Sequence, residues 1–319
     1  MKKYLISLLA LATSIIMQAQ VAPSAASQDG SALWLSNQNL GTCQVSGADS
    51  DNATLAIAKD ELSKNYKGKA VTFQIDPSLN LGEGYQITPT SIKASQAIGI
   101  LYGAYELIRL QALGDADNMN KTKKPAVKLR ILNHWDNLDG SVERGYAGKS
   151  IWKWEDIKLD KSGKAKSISK NLHDRLITYA RANASLGING SVLNNVNASP
   201  KMMTAEYINK VKVIANIFRP YGIRVYLSIN FASPMALGYT KTADPLDKKV
   251  QQWWQKKAKE IYAAIPDFGG FLVKANSEGQ PGPGDYHRTH AEGANMLADA
   301  LKPFGGIVMW RSFVYGANH

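Results

Sequence analysis

The sequence predicts an α/β chain in two parts. An α+β accessory domain comes first, followed by about the first five strands of a (β/α)8 TIM barrel, truncated before closure. Three observations predict this. Beyond residue 126, short apolar runs alternate with helical segments, the pattern of parallel strands joined by right-handed crossovers. Each of five such runs ends in polar or aromatic groups, as strands do at a barrel rim. The sharpest case is residues 269–290. There the apolar run Phe271 to Val273 turns polar at Lys274, Asn276 and Glu278, then enters Gly279-Gln280-Pro281-Gly282-Pro283-Gly284, which forms neither helix nor strand.

The length of 319 residues corresponds to about two domains at roughly 150 residues each. An apolar content of 45% with 7 Trp and 14 Tyr suffices for a substantial core. The 38 Lys and Arg against 26 Asp and Glu give a net charge of +12. These cations are scattered, as at Lys121, Lys123 and Lys124 or Lys161, Lys164 and Lys166, which reads as solvated surface and argues against nucleic-acid binding. A single cysteine, Cys43, rules out an intrachain disulfide framework.

Residues 1–20 read as a signal peptide. Lys2 and Lys3 form a positive start, Leu5 to Met17 is apolar, and cleavage is expected near Ala19 or Gln20. The apolar run is short for a membrane span, so the mature protein is expected to be exported to periplasm or medium, with no membrane attachment.

The accessory domain is placed at 21–125. Its expected elements are a helix over 51–65 (Leu55, Ile57, Ala58, Leu62) and an alternating strand at Ala70–Ile75. A strand pair at Gly84–Ile87 and Ser91–Ala94 and an amphipathic helix at Ala97–Leu113 complete it. Residues 114–127, polar and basic, suit a linker. The partial barrel is placed at 126–319. Its strands are expected at Leu129–Asn133, Asn189–Asn194, Ile223–Ile229, Gly270–Val273 and Ile307–Phe313, its helices at Asn171–Leu186, Ala205–Phe218, Val250–Ile265 and His290–Leu301.

The strand ends carry Asn133, His134, Trp135, Asp136 and Asn137; then Asn194, Asn195, Val196 and Asn197; then Ser228, Asn230 and Phe231; then Lys274, Asn276 and Glu278; and last Trp310 and Arg311. Planar amides bind sugar hydroxyls and indoles stack on pyranose faces, so this set suits a carbohydrate site. Lys274 and Arg311 point to a bound anion such as a uronate carboxylate. The competing reading is a structural ion pair between Lys274 and Glu278. No phosphate loop, zinc signature or serine elbow occurs, and Asp285, His287 and His290 share their loop with Arg288, which weighs against a metal; no cofactor is expected.

Three long stretches resemble glycoside hydrolase family 67, the xylan α-1,2-glucuronidases. They are Asn133 through Gly148 (with Ser141-Val142-Glu143-Arg144-Gly145-Tyr146-Ala147-Gly148), Val273 through Pro283, and Tyr286 through Ala298, continued by Trp310-Arg311-Ser312-Phe313-Val314-Tyr315. The resemblance implies that Glu278 is the general acid protonating the leaving xylose oxygen. It implies that Lys274 and Arg311 contact the uronate carboxylate. Val196 and a tryptophan, placed at Trp152 with Trp154 as competitor, would line the pocket around the 4-O-methyl group; Asn276, a strand-end amide beside Lys274, is also expected to bind the substrate. The substrates implied are glucuronoxylan-derived aldouronic oligosaccharides, hydrolysed with inversion, and a homodimer is allowed in the full-length protein. An inverting enzyme needs a second carboxylate roughly 6.5–9.5 Å from the acid. The family's bases lie on later strands, so the chain as given is expected to be an inactive fragment. The alternative is a non-catalytic carbohydrate-binding protein using the same rim.

Overall fold

In a computed structural model the chain is described over residues 43–47, 51–145 and 148–311. The signal-peptide reading of residues 1–20 and the motif residues Tyr146, Ala147 and Ser312 to Tyr315 lie outside these described residues.

The first sheet has the order β1-β2-β4-β3-β5, formed by β1 (Val45–Ser46), β2 (Val71–Ile75), β3 (Tyr85–Thr88), β4 (Ser91–Ala94) and β5 (Lys121–Lys123). Helix α1 (Ala53–Asn65) starts where Asn52 Oδ1 accepts from the Thr54 and Leu55 amides at 3.0 and 3.2 Å, a cap contributing about 1 kcal/mol. Helix α2 (Ala97–Ala112) is buried nearly all round, from Gly99 to Leu110, because it lies between the first sheet and α1. Strand β5 falls inside the stretch read as a linker. Lys-Thr-Lys has no apolar alternation to announce it, and it pairs antiparallel with β3.

The second sheet has the order β6-β9-β10-β11-β12, every pair parallel: β6 (Ile131–Asn133), β9 (Gly190–Val192), β10 (Arg224–Ile229), β11 (Gly270–Lys274) and β12 (Ile307–Arg311). Each strand neighbours the next in the chain, giving a parallel half-barrel sheet. The crossovers contain α3 (Lys170–Ser185), α4 (Ala205–Phe218), α6 (Lys248–Ala264) and α7 (His290–Leu301), with a short α5 (Ser233–Ala236) after β10. A hairpin of β7 (Ile157–Leu159) and β8 (Ala165–Ile168) precedes α3, where the sequence reading placed no strand.

Alternation along the strands sorts side chains to two faces. Val225, Leu227, Ile229, Phe271 and Val273 join the large core shared with the helices. Val192, Tyr226 and Leu272, with Val196, form a second cluster backed by Ile131, Ile307 and Met309. Lys274 and Arg311 follow Leu272 and Met309 by two residues and therefore share this second face. The two sheets are tied by a buried ion pair in which Arg181 of α3 donates to Glu61 of α1 at 2.6 and 2.9 Å. Among the described residues no helix is long and apolar enough to cross a membrane.

Candidate active site

The site lies where β11 and β12 end. Lys274 and Arg311 are register partners across these strands, so two cationic side chains stand side by side. Lys274 is only 2% exposed, and burying an ammonium requires partners. Its Nζ donates to Asn197 Oδ1 at 2.8 Å and pairs with the Glu278 carboxylate. Arg144, arriving from the loop after β6, donates to the other Glu278 oxygen at 3.3 Å. Glu278 is thus bridged by two cations while half its side chain faces solvent. The hydrogen bond and charge of Lys274, followed by those of Arg144, hold its carboxyl below the ordinary glutamate value. Burial pushes the Arg311 guanidinium down, and the charge of Glu278 partly offsets this.

The loop that carries Glu278 is built by Asn276. Both residues take left-handed backbone angles, φ 49 and 48, which non-glycine side chains rarely adopt. Asn276 Oδ1 accepts from the Gly284 amide at 2.8 Å, and its Nδ2 donates to Asp285 Oδ1 at 2.9 Å. Asp285 in turn accepts from the Gly282 amide at 3.0 Å. The Gly/Pro run is therefore folded back on Asn276, and glycine is required at 282, where a Cβ would meet Asn276 Oδ1 at 2.2 Å. His290 Nδ1 accepts from Trp310 Nε1 at 3.1 Å. Asp285 and His290 thus brace loop and strand.

Other strand-end amides also hold the rim together. Asn194 bridges β9 and β10, donating to Ser228 O and accepting from Ser228 N, both at 2.9 Å. Asn195 donates to Asn137 Oδ1 at 3.0 Å and Glu143 Oε2 at 2.6 Å. Asp136 accepts from Ser150 Oγ at 2.5 Å and the Ile151 amide at 2.9 Å. Its burial favours the neutral form, but these bonds and His134 outweigh that and hold its carboxyl low. A cavity of about 440 Å³ opens beside them, lined among others by Asp139, Asn194, Asn197, Lys201 and Tyr207. Through Asn197 it adjoins Lys274.

Lys274, Arg311 and Glu278 come together as the sequence reading expects, and the Lys274–Glu278 pair that stood as the competing reading is present too. Val196 is 3% exposed and belongs to the apolar cluster on the same face. Trp152 is placed differently from its expected role on a sugar-lining wall. It is fully buried in the helix-side core, its ring against His134, Tyr179 and Phe218 at 5.1, 5.2 and 6.2 Å. Trp154 is buried as well, edge-on to Tyr207. Asn276 is committed to its loop. Sequence reasoning assigns nothing to Arg144, although the residue stands inside the Ser141–Gly148 motif.

A family model described as the glycosyl hydrolase family 67 middle domain matches residues 109–319. A probable alpha-glucuronidase A of Aspergillus fumigatus is 49% identical over 217 residues, covering 68% of this chain and 24% of that protein. The alpha-glucuronidase A of Emericella nidulans is 46% identical over 222 residues, covering 68% and 25%. The chain thus spans about a quarter of the length of these curated relatives. Among solved structures, an enzyme of glycoside hydrolase family 138 targeting pectin rhamnogalacturonan II is similar with a TM-score of 0.48 and 16% identity, covering 83% of this chain and 34% of that one.

Proposed function

Because the chain belongs to glycosyl hydrolase family 67, we propose that it supplies the uronate-binding and proton-donating part of an α-glucuronidase. The substrate is (4-O-methyl)glucuronic acid α-1,2-linked to xylose in xylan-derived oligosaccharides. The observation that carries this reading is the register of Lys274 with Arg311, with Glu278 against Lys274. Two adjacent cations match the two oxygens of one sugar carboxylate, the arginine by a fork of N–H donors and the lysine as a point charge. With the uronate so anchored, our reading gives Glu278 the task of protonating the glycosidic oxygen.

Inversion requires water delivered from the opposite face by a second carboxylate. The acids along this rim are otherwise engaged: Asp136 by Ser150 and Ile151, Glu143 by Asn195, Asp285 by Asn276 and Gly282. Asp139 closes its own turn on Ser141. The chain spans about a quarter of the length of its curated relatives, so we assign the base to the part of the enzyme that this chain does not span and expect the 319-residue chain alone to be inactive. Val196 and Trp152 then back the site by packing, and Asn276 shapes the loop that presents Glu278. The apolar segment after Lys2 and Lys3 supports export.

The test is incubation of the longer protein carrying this chain with aldouronic oligosaccharides, followed by proton NMR. Release of 4-O-methylglucuronic acid first as the β anomer is the expected result. No release, or release first as the α anomer, rejects the assignment.

A further inference from the structure

Glu278 and a bound uronate require the same cation. Lys274 Nζ has three N–H donors, and Asn197 Oδ1 and the Glu278 carboxylate already take two of them. A sugar carboxylate arriving between Lys274 and Arg311 therefore meets a negative charge already seated on the ammonium. Two carboxylates crowded onto one cation repel each other, and the pair is relieved when one of them leaves or takes a proton.

Resting on the uronate reading above, we propose that Glu278 is a built-in competitor for Lys274. The substrate's own carboxylate displaces Glu278, and the freed carboxylate takes up one proton from solvent to become a carboxylic acid. The sugar carboxylate thus arms the proton donor as well as being recognised. A neutral sugar leaves Glu278 paired with Lys274, as a carboxylate with no proton to give. Arg144 is a positioning residue in this exchange, since it reaches the second Glu278 oxygen and keeps a hold on the carboxyl after Lys274 is lost.

The charged groups around Glu278 come from three elements and its own loop. Lys274 faces it from β11, Arg144 from the loop after β6, and Arg311 acts on it from β12. Asp285, in the same loop, is tied to Asn276 and Gly282. In the unliganded chain the balance is cationic and Glu278 sits below its ordinary value of 4.5. A uronate seated on Lys274 and Arg311 takes away the Lys274 bond and adds one negative charge beside Glu278, so the carboxyl rises from its unliganded value and binding takes up a proton at pH values between the two.

The test is titration calorimetry of D-glucuronate into the 319-residue chain between pH 4.5 and 7, in buffer pairs of different ionisation enthalpy. Uptake approaching one proton is expected within that range, with affinity rising up to tenfold for each pH unit lowered. Glu278→Gln, which cannot hold Lys274 by charge, is expected to bind glucuronate about tenfold tighter at pH 7 with no proton uptake. Glucuronate binding without proton uptake across the range overturns the inference, and so does uptake that persists in Glu278→Gln. No glucuronate binding by either protein, at any pH, rejects the uronate reading itself and this inference with it.

Discussion

Lys274 and Arg311 are register partners on adjacent parallel strands, and the buried ammonium of the first is held by Asn197 and Glu278. Parallel pairing fixes which side chains become neighbours, so the spacing of the two cations is set by the ladder of β11 against β12. Replacing Lys274 with methionine keeps an unbranched chain of similar length but removes the charge. Hydrogen bonds to charged groups contribute about 1.5–3 kcal/mol, so Lys274→Met should weaken D-glucuronate binding roughly ten- to hundredfold by calorimetry. Its melting temperature should change little, since Glu278 is half-exposed and regains water. Unchanged affinity with a lowered melting temperature would mean that the ion pair is structural only.

The same ladder depends on Gly270. Its φ of 137 lies outside the range of L side chains, and a Cβ there would come within 2.0 Å of the Ile307 carbonyl oxygen on β12. Gly270→Ala should cost about 3 kcal/mol or more in urea unfolding, combining backbone strain with overpacking. It should also weaken glucuronate binding by forcing β11 and β12 apart below Lys274 and Arg311. Gly279→Ala is the control, because Gly279 has a φ of 77 but open space where the Cβ would go. Only the left-handed penalty of about 1 kcal/mol applies there.

Asp136 ties the end of β6 to the segment that follows, through Ser150 and Ile151. Its carboxyl is held below the ordinary 3.8 in the folded chain. A depressed folded-state value means that the stabilisation is present above the unfolded value and is lost as pH falls through the folded one. Asp136→Asn should therefore be less stable than the parent by about 1–3 kcal/mol at pH 7. The two urea midpoints should converge as pH drops below 3.8. A gap that stays constant with pH would assign the loss to packing instead of charge.

Much of this arrangement is legible in the sequence, and what is not has identifiable causes. The five parallel strands are visible because Val225, Leu227 and Ile229, or Phe271 and Val273, are continuous with the helix-side core and leave apolar runs. Strand β5 is not, since its Lys-Thr-Lys pairs at a sheet edge and needs no apolar face. Lys274 and Glu278 are four residues apart and both announce themselves. Arg144 is 134 residues from Glu278, and its approach depends on a left-handed φ of 57 that composition does not signal. Trp152 escapes a sequence reading because an indole near a rim suits a sugar as well as a core. Its burial follows from His134, Tyr179 and Phe218 closing around it, which only the crossover through α3 and α4 determines. The rim asparagines read as sugar ligands, but Asn194, Asn195 and Asn276 complete backbone and loop bonds that exist only once the strands are side by side.

The role of Glu278 is separable from that of the cations by the leaving group. A xylose alkoxide departs slowly unless its oxygen is protonated, whereas a nitrophenolate leaves without help. A general acid contributes about 10²–10⁴-fold to the first kind of departure and little to the second. In the longer protein, Glu278→Ala should therefore lose roughly that factor in kcat on an aldouronic oligosaccharide. Activity on 4-nitrophenyl α-D-glucuronide should stay within about tenfold of the parent. Removing Glu278 also frees Lys274, so KM for the aryl uronide should fall, which loss of a merely structural carboxylate would not produce. The measurement is a pair of Michaelis–Menten series on the two substrates at one pH. An equal loss of kcat on both would show that Glu278 does not deliver the proton and that its bond to Lys274 serves only to fix the loop.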